Sequence, residues 1–133
     1  MTTRVLLVDD SAFVRKVLRE LLSDQKGIEI VGIARDGLEA LEKIAELSPD
    51  VMTLDLIMPN LDGIGVLEAL RGRPGPAPVV VSTSPSDSEL ALRAFERGAV
   101  ELVCKPTALA SDRLYELRKE LLAKIRAAAS AHR

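Results

Sequence analysis

The chain has no tryptophan, one tyrosine, two phenylalanines, one cysteine and one histidine among its 133 residues. Aromatic residues make up 2 % of it and hydrophobic residues 47 %, so the core must be built from Leu, Val, Ile and Ala. That mix suits buried parallel strands covered by helices. The lone cysteine, Cys104, lies inside the apolar run "VELVCK" and reads as a buried strand residue with no redox or metal role. The lone histidine, His132, is one residue from the end, which leaves a serine-based hydrolytic centre without a base. No excess of positive charge exists to hold nucleic acid: the formal net charge is −2, with acids and bases interspersed. No apolar stretch approaches the about 18 residues of a membrane span. The opening "MTTRVLLVDD" is stopped by two acids, too soon for the apolar core of a signal peptide. These absences predict a soluble, cytoplasmic, single domain over residues 1–130, large enough for one core without staples.

Short apolar runs alternate with longer stretches of helical period, the pattern of βα units in a parallel sheet. Five strands are expected: Arg4 to Asp9, Ile28 to Ala34, Asp50 to Asp55, Pro78 to Ser82 and Val100 to Cys104. In the first intervening helix Phe13, Val14, Val17, Leu18, Leu21 and Leu22 repeat on one face. Asp36 with Glu39, Asp62 with Gly63, and Ser86 with Glu89 mark the starts of the next three. The last helix is predicted over about 111–129, with Leu114, Leu117, Leu121 and Ile125 on one stripe and a small-residue tail, "KIRAAASAHR". "RGRPGPAP" is the clearest loop. Right-handed crossovers make an open, doubly wound α/β sheet with helices on both faces the economical arrangement.

In such a sheet ligands bind beyond the carboxyl ends of the strands. The residues at those ends are polar without exception: Asp9 and Asp10 after the first strand, Asp55 after the third, Ser82 and Thr83 at the fourth, Lys105 after the fifth. In the strand order 2-1-3-4-5 the first and third strands are neighbours, so three carboxylates converge. Two carboxylates about 4 Å apart repel by roughly 4 kcal/mol at an effective dielectric near 20. Such a cluster calls for a cation, and hard oxygen ligands with no His or Cys nearby point to Mg²⁺, with Mn²⁺ or Ca²⁺ as substitutes. Mg²⁺ keeps company with phosphate, and a carboxylate beside it is a plausible nucleophile toward phosphorus. Lys105 can neutralise charge on a transferred phosphoryl group, and the Thr83 hydroxyl can bond one of its oxygens.

The acidic pair Asp9-Asp10, "LDLIMPNLDG" around Asp55, Thr83, and the "KP" of Lys105-Pro106 together resemble the receiver domains of two-component response regulators over nearly the whole chain. The resemblance implies the flavodoxin-like 2-1-3-4-5 fold. It further implies that Asp55 accepts a phosphoryl group from the phosphohistidine of a histidine kinase. Mg²⁺ would be held by Asp10, Asp55 and the backbone carbonyl of Ile57, with Asp9 supporting it through water, and an output domain or effector protein would receive the signal. In that family the lysine-proline peptide is usually cis, which carries to Lys105-Pro106. "DVMTLDLIMPNLDGIGVLEAL", "LRAFERGAVELVCKP" and the tail are similar, more narrowly, to the receiver and linker of the chemotaxis protein-glutamate methylesterase, whose catalytic half is not in this sequence.

Two positions depart from the family pattern. Leu102 stands where an aromatic ring often reports on the hydroxyl residue, and Ile57 has a side chain unable to hold an attacking water. A stand-alone single-domain regulator predicts the same site as a methylesterase receiver. An aspartate-nucleophile phosphatase would need a second acid and a substrate cap, neither of which the sequence offers. A nucleotide or flavin module would lead from the first strand into a glycine-rich loop, where this chain has "DDSAF".

Overall fold

The structure, a computed structural model, describes residues 2–83, 88–106 and 111–131, except for the side chains of residues 111 and 112. Strands and helices alternate: β1 (Thr3–Val8), α1 (Ala12–Leu22), β2 (Ile28–Ala34), α2 (Gly37–Leu47), β3 (Val51–Leu54), α3 (Gly63–Leu70), β4 (Ala77–Ser82), α4 (Glu89–Glu96), β5 (Glu101–Cys104) and α5 (Ser111–Ala131). The strands form one parallel sheet in the order β2-β1-β3-β4-β5, the α/β arrangement expected.

Consecutive strand residues point to opposite sides, and both sides are apolar because helices cover both. On one side Val5, Leu7, Val51, Val79 and Val81 pack with Val14 and Leu18 of α1 and Leu121 and Ile125 of α5. On the other, Leu6, Val8, Met52, Leu54 and Val80 pack with Ile44 of α2, Leu67 of α3 and Ala94 of α4. Each fully buried leucine contributes roughly 1.5–3 kcal/mol. β3 and β4 are buried throughout, whereas the edge strands β2 and β5 are only partly so, and Cys104, expected to be buried, is exposed at the end of β5. The central strands therefore deliver their last residues from a rigid, dry base.

The helix starts show how local chemistry fixes the frame. Ser11, Asp36, Asp62 and Ser88 are the N-caps, their side chains accepting from the N–H of Val14, Glu39, Gly65 and Ala91. The cap of α4 is thus Ser88; the expected Ser86 lies outside the described residues. Phe13 is 56 % exposed, so it stays outside the core, which the apolar stripe of α1 enters from Val14 onward. The stripe of α5 lies as predicted, with Leu121 and Ile125 fully buried, and the helix continues two residues further than expected. Arg118 and Arg126 of α5 donate to the carbonyls of Leu21 and Lys26, which fastens α5 to the end of α1.

Candidate functional site

β1 and β3 end one residue earlier than the sequence suggested, at Val8 and Leu54, yet the parallel ladder continues through the next backbone N–H. Asp9 N–H donates to Ala34 O at 3.0 Å, Asp55 N–H to Val8 O at 3.0 Å, and Lys105 N–H to Ser82 O at 3.0 Å. Each charged residue is therefore fixed by its strand neighbour at the carboxyl edge of the sheet. Asp9, Asp10 and Asp55 each present a carboxylate oxygen within 4.8 Å of the others. Asp9 and Asp55 are 1 % and 3 % exposed, and Asp10 faces outward.

Lys105 reaches into this group. Its Nζ lies 3.1 Å from Asp55 Oδ2 and 3.4 Å from Asp9 Oδ2. Both oxygens are buried and neither receives a well-aligned hydrogen bond among the described residues, so the ammonium's contact with them is chiefly electrostatic. The other oxygens are fixed by backbone: Asp9 Oδ1 accepts from Ser11 N–H at 2.9 Å, and Asp55 Oδ1 from Ile57 N–H at 3.2 Å. One ammonium facing two buried carboxylates leaves net negative charge, and the titration behaviour follows. Burial, then the charge of Asp9, pushes the Asp55 carboxyl up to about 6, and burial likewise raises Asp9. Burial alone would lower Lys105, but the carboxylates of Asp55 and Asp9 outweigh it and raise its pKa. Two acids share one base, so the base gains fully while each acid remains underpaid in charge.

The orphaned, buried Oδ2 atoms of Asp9 and Asp55, with Asp10 alongside, form an all-oxygen donor set of the kind that suits a hard divalent cation. Thr83 follows β4 directly and is exposed. Ile57 is 66 % exposed beside the acids, its backbone N–H turned to Asp55. Leu102 is partly buried in the second core cluster, and its carbonyl accepts from Lys124 Nζ at 2.6 Å. Among the described residues no peptide bond is cis, which corrects the expectation for Lys105-Pro106; the isomers of such a bond differ by only about 0.5–1 kcal/mol, so surrounding contacts decide. His132 lies outside the described residues.

One neighbour of the site escaped the sequence reading. Arg15 of α1 donates from Nη1 to the Asp9 carbonyl at 2.6 Å, holding down the turn that carries both N-terminal acids. Its position one turn into the helix after "DD" was the available signal.

A match to the response regulator receiver domain extends over residues 5–117. The chain belongs to that family. The receiver domain is 66 % identical over 129 residues to protein-glutamate methylesterase/protein-glutamine glutaminase 5 of Myxococcus xanthus, which covers 96 % of this chain but only 37 % of that protein. Among solved structures it is similar to the response regulator domain of Thermotoga maritima CheB, with a TM-score of 0.88, 40 % identity and 98 % of both chains covered. It is also similar to a chain of a CheX-CheY-BeF3-Mg²⁺ complex from Borrelia burgdorferi, with a TM-score of 0.72 and 28 % identity over 90 % of this receiver domain and 89 % of that chain.

Proposed function

We propose that this receiver domain is a phosphorylation-activated switch in which Asp55 is the phosphoacceptor. The observation that carries the reading is the buried pair Asp9 and Asp55, whose orphaned oxygens face a single ammonium. In the reaction an Asp55 carboxylate oxygen attacks the phosphorus of a kinase phosphohistidine. The new O–P bond forms as the N–P bond breaks, and the imidazole departs with the electron pair. Lys105 offsets charge on the transferred group, and the Thr83 hydroxyl donates to one of its oxygens. Asp10, Asp55 and the Ile57 carbonyl, with Asp9 behind them, are the residues that would hold Mg²⁺. When bound, that ion neutralises the acids and the developing phosphoryl charge. The Mg²⁺ and BeF3 named for the Borrelia complex support this choice of ligands.

Phosphorylation would bias a pre-existing equilibrium of the face formed by α4, β5 and α5. Taking that equilibrium from 1:99 to 99:1 requires about 5.5 kcal/mol of preference for the active state. The resemblance to methylesterases, of whose length the chain spans about a third, supports a regulatory role in chemotaxis. The partners would be a histidine kinase and a methylesterase catalytic domain, in the cytoplasm. The test is incubation with acetyl phosphate and MgCl2: a phosphoryl-sized mass gain that disappears in Asp55→Asn is expected. A gain that persists in that variant refutes the assignment. For the methylesterase parent, the mass of the native protein decides, a mass near that of this chain alone being the contrary result.

A further inference from the structure

The segment 56–62 joins Asp55 to α3 and carries Ile57, whose N–H holds Asp55 Oδ1. Its far end is fastened to a different element, the N-terminus of α2. Asp36 caps that helix with one oxygen, Oδ1, which accepts from Glu39 N–H at 2.8 Å. Its second oxygen, Oδ2, accepts from Asn60 Nδ2 at 2.7 Å. The next residue repeats the link through backbone, Gly37 N–H donating to Leu61 O at 2.9 Å. The approach is so close that a side chain at Gly37 would collide with the Leu61 carbonyl.

Asn60 has a φ of 67°, the left-handed region that asparagine tolerates better than most residues. The backbone there is bent to present the amide to Asp36. The same β2–α2 junction also supports the other acidic turn, since Ala34 O accepts from Asp9 N–H. One short stretch, 34–37, thus fixes the chain that follows β1 and the chain that follows β3.

We infer that Asp36 and Asn60 are positioning residues: their hydrogen bond fixes the 56–62 segment so that the Ile57 backbone stays against the Asp55 carboxylate. The consequence for Mg²⁺ rests on the phosphoacceptor reading above; the consequence for the Ile57 amide does not. A plain capping and turn role predicts lost stability alone. A positioning role predicts a change at Ile57 and at the acids that tracks the hydrogen bond and not the melting temperature.

The test uses the 133-residue chain, ¹⁵N-labelled, because without tryptophan it has no intrinsic reporter of that kind. The variants are Asn60→Asp, which sets a second carboxylate against Asp36, and the exchange Asp36→Asn/Asn60→Asp, which restores a donor and an acceptor in reversed positions. Asparagine remains a competent cap and aspartate tolerates the left-handed backbone. Ile44→Val in α2 serves as a control for stability. In Asn60→Asp the Ile57 amide is expected to lose exchange protection. Mg²⁺ affinity, read from amide shifts on titrating MgCl2, should weaken about tenfold, the scale seen when groups that orient metal ligands are changed. The added negative charge by itself would strengthen cation binding, so weakening cannot come from charge alone. The exchange variant should recover both readouts, and Ile44→Val should move neither. An unchanged Ile57 amide in Asn60→Asp overturns the inference, as does an exchange variant that regains its melting temperature without regaining Ile57 protection. A wild-type chain whose amides ignore MgCl2 counts against the phosphoacceptor reading, while the Ile57 amide still decides the positioning role.

Discussion

The Lys105 ammonium lies 3.1 Å from Asp55 Oδ2, and it must also serve Asp9 at 3.4 Å. This shortage of positive charge explains why the Asp55 carboxyl is pushed up despite having a basic partner. A site so arranged is strained toward accepting either a proton or a cation, and each option has a measurable consequence.

The proton option sets a pH dependence. Asp55 titrates at about 6 in the folded chain against 3.8 ordinarily, so between these values the folded state binds more protons than the unfolded. Stability must then fall as pH rises through that window and remain lowered above it. Asp55→Asn removes the ionised carboxyl and should raise unfolding stability at about pH 7 by roughly 1–3 kcal/mol, the gain vanishing near pH 4. Urea unfolding across that range measures it, and a variant no more stable than wild type at neutral pH would contradict the charge imbalance.

The cation option predicts complementary effects of Lys105→Met and MgCl2. Deleting the ammonium leaves two buried carboxylates facing each other, at a cost of about 2–4 kcal/mol without metal. Mg²⁺ binding only to the folded chain adds stability by mass action, about 2.7 kcal/mol at a hundredfold excess over the dissociation constant. Saturating MgCl2 should therefore recover most of what Lys105→Met loses. A loss of equal size with and without MgCl2 is the adverse outcome in thermal melts.

Beside the acids, the 66 % exposed Ile57 bears on phosphoryl lifetime. An aliphatic side chain neither orients nor activates water, whereas an amide can hold one near the acyl phosphate. Ile57→Asn should lose phosphate several-fold faster, about 1 kcal/mol in barrier per fivefold change. Decay followed by intact mass checks this; an unchanged half-life removes water positioning at this residue from the account.

Beneath the site, Thr53 in β3 is 1 % exposed, and its hydroxyl finds no partner among the described residues. An unpaired buried hydroxyl costs about 1–3 kcal/mol, and valine has nearly the same shape. Thr53→Val should raise the denaturation midpoint by an amount worth about 1 kcal/mol. A fall in the midpoint would mean that the hydroxyl is paired after all.

The frame of the molecule was legible because it rests on short-range rules. Strand runs such as "RVLLVD" and caps such as Asp36 and Asp62 are written in neighbouring residues, and the strand ends gather Asp9, Asp10, Asp55 and Lys105 once the order is 2-1-3-4-5. What the sequence hid was depth and long-range pairing. Periodicity put Phe13 on the apolar face of α1, yet Phe13 is 56 % exposed, and of that face Val14, Leu18, Leu21 and Leu22 are buried. Capping-box spacing pointed to Ser86 as the cap of α4, whereas the side chain that caps the helix is Ser88. The Asp36–Asn60 bond joins residues 24 apart; Asp36 alone reads as a helix cap, and nothing local pairs its second oxygen with Asn60.

The most direct measurement is to locate the phosphoryl group. After treatment with acetyl phosphate and MgCl2, fragmentation of the peptide containing residues 51–58 should place it on Asp55, with none on Asp9, Asp10 or any hydroxyl residue. Label found elsewhere, or label undiminished in Asp55→Asn, would contradict the claim that this buried, underpaired carboxylate is the phosphoacceptor.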